Sequence, residues 1–243
     1  MAAPADNPAR FTHPGGAAEP ARAAGLSPDG LAKLAPDQSA EQLLDALVAA
    51  KLLEDAVKFF ARVLPKREAV WWAARCAKES PRPPAAGPPS AELTRQHETA
   101  VAAEVAARTA AEVWCSAPLD DKRRAAFTAA EPVADSPSGL AALAVFFADG
   151  SMAPADCPAV PPPPDSCAAA AAAAVLVAAV RNEPERADAK RGQFLDIGKQ
   201  VNAGTDRWPD APPGAKPATG PLQPATAVPP KPPAPPPVRR GYY

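Results

Sequence analysis

The chain has one isoleucine, two tyrosines and two histidines in 243 residues. Strands are built mainly from β-branched and aromatic side chains in alternation. The valines here sit among Ala, Leu and Glu, and no alternating stretch occurs, so a sheet-based fold is excluded. Paired metal ligands are missing too. Cys76, Cys115, Cys157 and Cys167 form no C-x-x-C, and only His13 and His97 could assist them. Structural zinc sites are normally marked by paired ligands, so no metal is expected. The same spacing predicts small buried thiols in a reducing compartment.

Other absences narrow the function. No Gly-rich phosphate loop and no nucleophile elbow occur, so no nucleotide or other cofactor is expected. Asp120 and Asp121 are adjacent, which makes their side chains diverge on a helix; Asp120 is read as an N-cap rather than half of an acid/base pair. His97 has no evident triad partners. The net charge is −1, and the basic clusters Lys122–Arg124 and Lys190–Arg191 are short and offset by nearby acids. No nucleic-acid partner is expected. The longest apolar run, Cys167 to Val180, is mostly alanine and falls short of the roughly 20 apolar residues of a spanning helix. No membrane insertion is expected. The start, "MAAPADNPARFTHPGG", lacks the apolar centre of a secretory signal, so a cytoplasmic location is expected.

Alanine and proline are plentiful instead, with 62 and 35 residues. Leu, Val, Ile and Phe together number 40, and 33 of them lie between Asp37 and Trp208. That middle is long enough for one domain with a modest core, whereas the flanks cannot bury enough apolar surface to offset their ordering entropy. The expectation is a disordered tail over 1–36, an all-α domain over 37–208, and a proline-rich disordered tail over 209–243.

Helix signals run through the domain. Ser39 and Gln42 have capping-box spacing ahead of Leu43, Leu44, Leu47 and Val48. A second apolar stripe runs from Leu52 to Leu64, ends at Pro65, and follows the first closely enough for a tight helical hairpin. Further helices are predicted over about 91–114, 120–130, from Ser136 to Gly150, from Cys167 behind Asp165 and Ser166 as caps, and over 187–202. The total is seven or eight helices, rich in alanine.

"REAVWWAARCAK" (Arg67 to Lys78) holds two of the four tryptophans. At 100° per residue, Trp72 falls on the apolar stripe with Ala69, Ala73 and Cys76. Trp71 falls in the polar sector, flanked by Arg67 and Arg75. Trp72 therefore reads as core. Trp71 reads either as structural, covered by an Arg or by a tail, or as a partner-facing anchor.

Three stretches, "LPKREAVWWAARCA" (Leu64 to Ala77), the Gly-Ser and proline loop from Gly150 to Pro164, and "FLDIGKQVNAGTDRWP" (Phe194 to Pro209), resemble a bacterial family known only as a domain of unknown function. The resemblance spans about Ser39 to Pro209 and implies no activity, cofactor or catalytic residue. It implies that some relatives accompany secretion-system genes.

Residues 209–243 contain 13 prolines and end "KPPAPPPVRRGYY". Proline favours an extended polyproline II arm, reaching about 100 Å at ~3.1 Å per residue. Arg239, Arg240, Tyr242 and Tyr243 gather charge and aromatic surface at its end, either as a docking epitope or as the end of a spacer. The leading expectation is a non-catalytic cytoplasmic adaptor or scaffold that binds an unidentified protein partner. The alternative is an enzyme or small-ligand binder with a pocket between helices near Trp71, Arg67 and Arg75.

Overall fold

Local chemistry sets most helix boundaries. Ser39 and Gln42 close a full capping box at the start of α3 (Ala40–Ala49). Two short helices precede it, α1 (Ala18–Ala23) and α2 (Pro28–Leu31). Then come α4 (Leu53–Val63), α5 (Lys66–Lys78), α6 (Ala91–Ser116), α7 (Asp120–Ala130), α8 (Pro137–Phe146), α9 (Ser166–Val180) and α10 (Ala187–Asn202). The computed structural model describes residues 16–84, 88, 90–154 and 156–209. Among these residues there is no strand, and eight helices have seven residues or more. The fold is all-α. No single described helix is long and apolar enough to cross a membrane.

The core sorts itself by side-chain size. Leu43, Leu44 and Leu47 of α3, Phe59 and Phe60 of α4, and Val70 and Trp72 of α5 are fully buried. Phe60 and Trp72 meet edge to face at 5.2 Å, and the Trp72 indole donates to the Phe194 carbonyl of α10 at 2.6 Å. Gly198 permits that approach, because a Cβ there would sit 2.3 Å from the Phe60 ring. On the other side of α5, α8 and α9 bury Ala141, Ala144, Ala171, Ala174 and Ala178. Small side chains let helix axes come close, so the alanine runs form a tight layer rather than a weak one.

The connection between α3 and α4 shows how tight a turn can be. Lys51 takes a left-handed φ of +59°. Lys51 N–H donates to Val48 and Leu52 N–H to Leu47, both at 3.0 Å. This is the two-bond Schellman closure, usually built on glycine.

Three expectations need correction. The N-terminal tail does not extend to residue 36, because Ala17, Ala21 and Leu26 are buried in the core cluster. Asp55, in the first turn of α4, explains the attachment. Its buried carboxylate accepts from the Ser27 N–H at 2.9 Å and the Ser27 hydroxyl at 2.5 Å. Ser27 also caps α2 through Gly30 N–H. Residues 1–15 lie outside the described residues.

Asp120 is not an N-cap; Leu119 holds that position. Asp120 instead accepts from Arg123 at 2.7 and 2.9 Å and from Arg124 at 2.8 Å. Arg123 is only 2% exposed and also donates to the Phe146 and Ser151 carbonyls. These two arginines hold the proline loop against α8. Asp165 occupies the cap position of α9 with φ +70°, but its side chain makes no capping bond. It turns to Arg62, at 2.6 Å.

Candidate functional site

Arg67, Trp71 and Arg75 follow one another at i, i+4 and i+8 along α5, so they share a face. The chain after α10 returns to cover that face. Gly204 adopts φ +75°; its N–H donates to Val201 and the Thr205 N–H to Gln200, both at 3.0 Å. This Schellman closure reverses the chain and carries residues 205–208 back along α5.

Asp206 then receives two donors. Its Oδ1 accepts the Trp71 indole N–H at 2.9 Å, and its Oδ2 accepts Arg75 Nε at 2.9 Å. Trp208 lies edge to face against Trp71 at 6.3 Å, and the Arg67 guanidinium sits 4.0 Å from the centre of its ring. Arg67 Nε also donates to the Cys115 carbonyl at 2.6 Å, tying in the end of α6. Trp71 and Trp208 are each 7% exposed.

The expected constellation of Trp71, Arg67 and Arg75 is therefore brought together, and each member is engaged within the protein. Of the readings open for Trp71, the structural one describes its environment, with a difference in the partners. Arg67 stacks on Trp208 rather than on Trp71, and the cover is the 206–208 segment. The space beside Trp71 that the alternative reading needed as a pocket is filled by Asp206 and Trp208. Arg239, Arg240, Tyr242 and Tyr243 lie outside the described residues.

A second polar cluster gave no signal in the sequence. Glu104 of α6, nearly buried, accepts from Arg181 at 2.5 and 2.7 Å and from Arg82 at 2.7 Å. Burial alone would raise its pKa. The hydrogen bond from Arg181 and the charges of Arg181 and Arg82 outweigh that and hold it below its ordinary value. The cluster pins the segment leaving α5 to α6 and α9.

Burial pushes the Cys76 and Cys115 thiols well above their ordinary value and Cys167 up to about 12. A thiol is nucleophilic only as the thiolate, so these three are packing groups. Among the described residues no group of three His, Cys, Asp or Glu side chains could hold a metal ion.

Two cavities open on the opposite side of α5, around Arg62. One, of about 350 Å³, lies between the α4–α5 junction, Phe147 and the end of the proline loop. The other, of about 230 Å³, runs between α1 and the alanine face of α9. Arg62, Asp165 and Ala168 border both.

No curated protein and no solved structure matches the chain. The sequence model of a family of unknown function (DUF6931) matches residues 43–202, from the first buried leucines of α3 to the end of α10. Two of the stretches that carry the resemblance, at Leu64–Ala77 and Phe194–Pro209, are the two that meet at Trp72 and Phe194, though Asp206 and Trp208 lie just beyond the matched span. The chain belongs to this family.

Proposed function

We propose that the protein is a non-catalytic helical adaptor that binds a protein partner, with the proline-rich C-terminal stretch as its docking arm. The observation that supports this reading is the anchoring of Trp208. Its ring is held between Trp71 and Arg67, and the proline-rich sequence begins at the next residue. An arm docks more effectively when its root is fixed, because a fixed root narrows the volume that its far end explores. Prolines reduce the ordering cost of binding further, while Arg239, Arg240, Tyr242 and Tyr243 supply contact area and charge. The described domain would serve as the base from which the arm leaves.

Affinity capture from the native host tests this with the full chain and with a chain lacking Arg239 to Tyr243. The shortened chain should lose a partner that the full chain retains, with unchanged thermal unfolding. Tyr242→Ser combined with Tyr243→Ser should lose the same partner even at low salt. A contact made by charge alone would instead survive at low salt and fade as salt rises. Retention of every partner by the shortened chain would make the arm a spacer.

A further inference from the structure

The larger cavity beside Arg62 has the chemistry of a small-molecule site. Its volume of about 350 Å³ falls within the ~300–1,000 Å³ typical of ligand pockets. Ala61, Leu64, Phe147 and the run Pro162–Pro164 give it mostly apolar walls. The polar groups that border it are Arg62, Lys66 and Asp165. Two cations and one carboxylate line it, and Glu19 adds a second carboxylate 3.5 Å from Arg62.

Donors outnumber acceptors in this cluster. The Arg62 guanidinium contacts Asp165 at 2.6 Å and Glu19 at 3.5 Å, yet its Nε is buried with no hydrogen-bond partner. An anion in the cavity would meet the accessible part of the Arg62 side chain, not this buried Nε. Lys66 Nζ donates to the Ala148 carbonyl at 2.6 Å, which uses one of its three N–H groups. Asp165 spends its carboxylate on Arg62 and leaves α9 without a side-chain cap. The positive end of the α9 dipole thus adds to the field of the two cations at the cavity wall formed by Cys167 and Ala168.

We propose that this cavity binds a small amphipathic carboxylate. Its anionic head lies at Arg62 and Lys66, and its apolar body lies between Phe147 and the prolines. The second cavity, lined by Ala169, Ala172, Ala173 and Leu176, lies on the other side of Arg62, behind the anionic head. A cationic ligand would meet two like charges. A neutral alcohol of the same shape would gain the walls but not the charge-assisted hydrogen bonds. The site is independent of the proposed adaptor role and of the Trp208 seam.

Isothermal titration calorimetry with octanoate, 1-octanol and octylammonium tests the assignment on the full chain at neutral pH. Octanoate should bind at one-to-one stoichiometry, and more tightly than either of the other probes. Lys66→Gln, at an exposed side chain, should weaken octanoate by about tenfold or more, as expected for loss of one charge-assisted hydrogen bond. Arg62→Gln should weaken it as well but also breaks the Asp165 pair, so its thermal unfolding is measured alongside. Ala168→Leu keeps a good helix former on α9 and fills the border between both cavities; it should abolish binding while the protein stays folded. No octanoate binding, equal binding of octanoate and octanol, or octanoate affinity unchanged in both Lys66→Gln and Ala168→Leu would each overturn the proposal.

Discussion

Trp208→Ala tests whether the segment after α10 is an integral part of the fold. The ring is 7% exposed, so its removal strips a large aromatic surface from Trp71, Arg67 and the α5 face. Full truncation of a core tryptophan costs about 3–5 kcal/mol. Trp208 lies close to the end of the described chain, where the backbone can relax into the space, so the expected cost is about 2–4 kcal/mol. Within that sum, the edge-to-face contact with Trp71 accounts for roughly 0.5–1.5 kcal/mol, and the stacked Arg67 for roughly 0.5–2 kcal/mol. For a domain of this size each kcal/mol moves the melting temperature by about 2–4 °C.

Guanidinium denaturation gives the free energy, provided that different probes report one transition. A double-mutant cycle with Trp71→Phe then isolates the seam. That variant keeps a ring but removes the N–H that Asp206 accepts. The two changes should be coupled by about 0.5–1.5 kcal/mol, because the rings touch and share the 206–208 segment. A loss below about 0.5 kcal/mol for Trp208→Ala, or strict additivity with Trp71→Phe, would refute the seam. Trp72→Ala provides the internal comparison, and its cost should be larger, at about 3–5 kcal/mol.

Three further perturbations follow from the fold. Glu104→Gln should cost roughly 1.5–3 kcal/mol at neutral pH, because two arginines lose their counter-charge. Since the folded-state pKa is lowered, Glu104 contributes stability above its ordinary pKa of 4.5 that is lost as pH falls through the folded value. The Gln variant should therefore lose less stability over that acid range, as urea titrations at stepped pH would show; parallel curves would contradict this. Lys51→Gly should stabilise by up to ~1 kcal/mol, because it relieves a left-handed residue at a helix C-terminus, and a lower urea midpoint would refute the reasoning. Ser27→Ala should cost about 1–3 kcal/mol by removing the hydroxyl that donates to the buried Asp55 carboxylate while the backbone N–H donor remains, whereas a silent substitution would show that the N-terminal segment is not fixed there.

Much of the helix framework was legible residue by residue. The capping box at Ser39, the stop at Pro65 and the cap at Ser136 act within one turn of the chain, so their partners lie within a few positions. The wheel for α5 correctly separated Trp72 from a face shared by Arg67, Trp71 and Arg75. It could not show that the face is covered, because Asp206 lies 135 residues from Trp71. The N-terminal segment was misread for a related reason. Ala17 and Ala21 look like tail composition, and alanine identifies a core only when a neighbouring helix presses against it. Asp165 and Asp120 had cap-like local positions, but nearby arginines offered stronger charge-assisted bonds.

The sequence by itself determined the all-α class, the approximate number of helices, most of their ends and the assignment of Trp72 to the core. These depend on propensity, periodicity and capping, all short-range quantities. Only the tertiary structure decided the cover over Trp71, the Glu104 cluster and the cavities around Arg62. Each of those requires groups from distant helices to occupy one place, and an alanine-rich chain carries little side-chain shape to mark where its helices will meet.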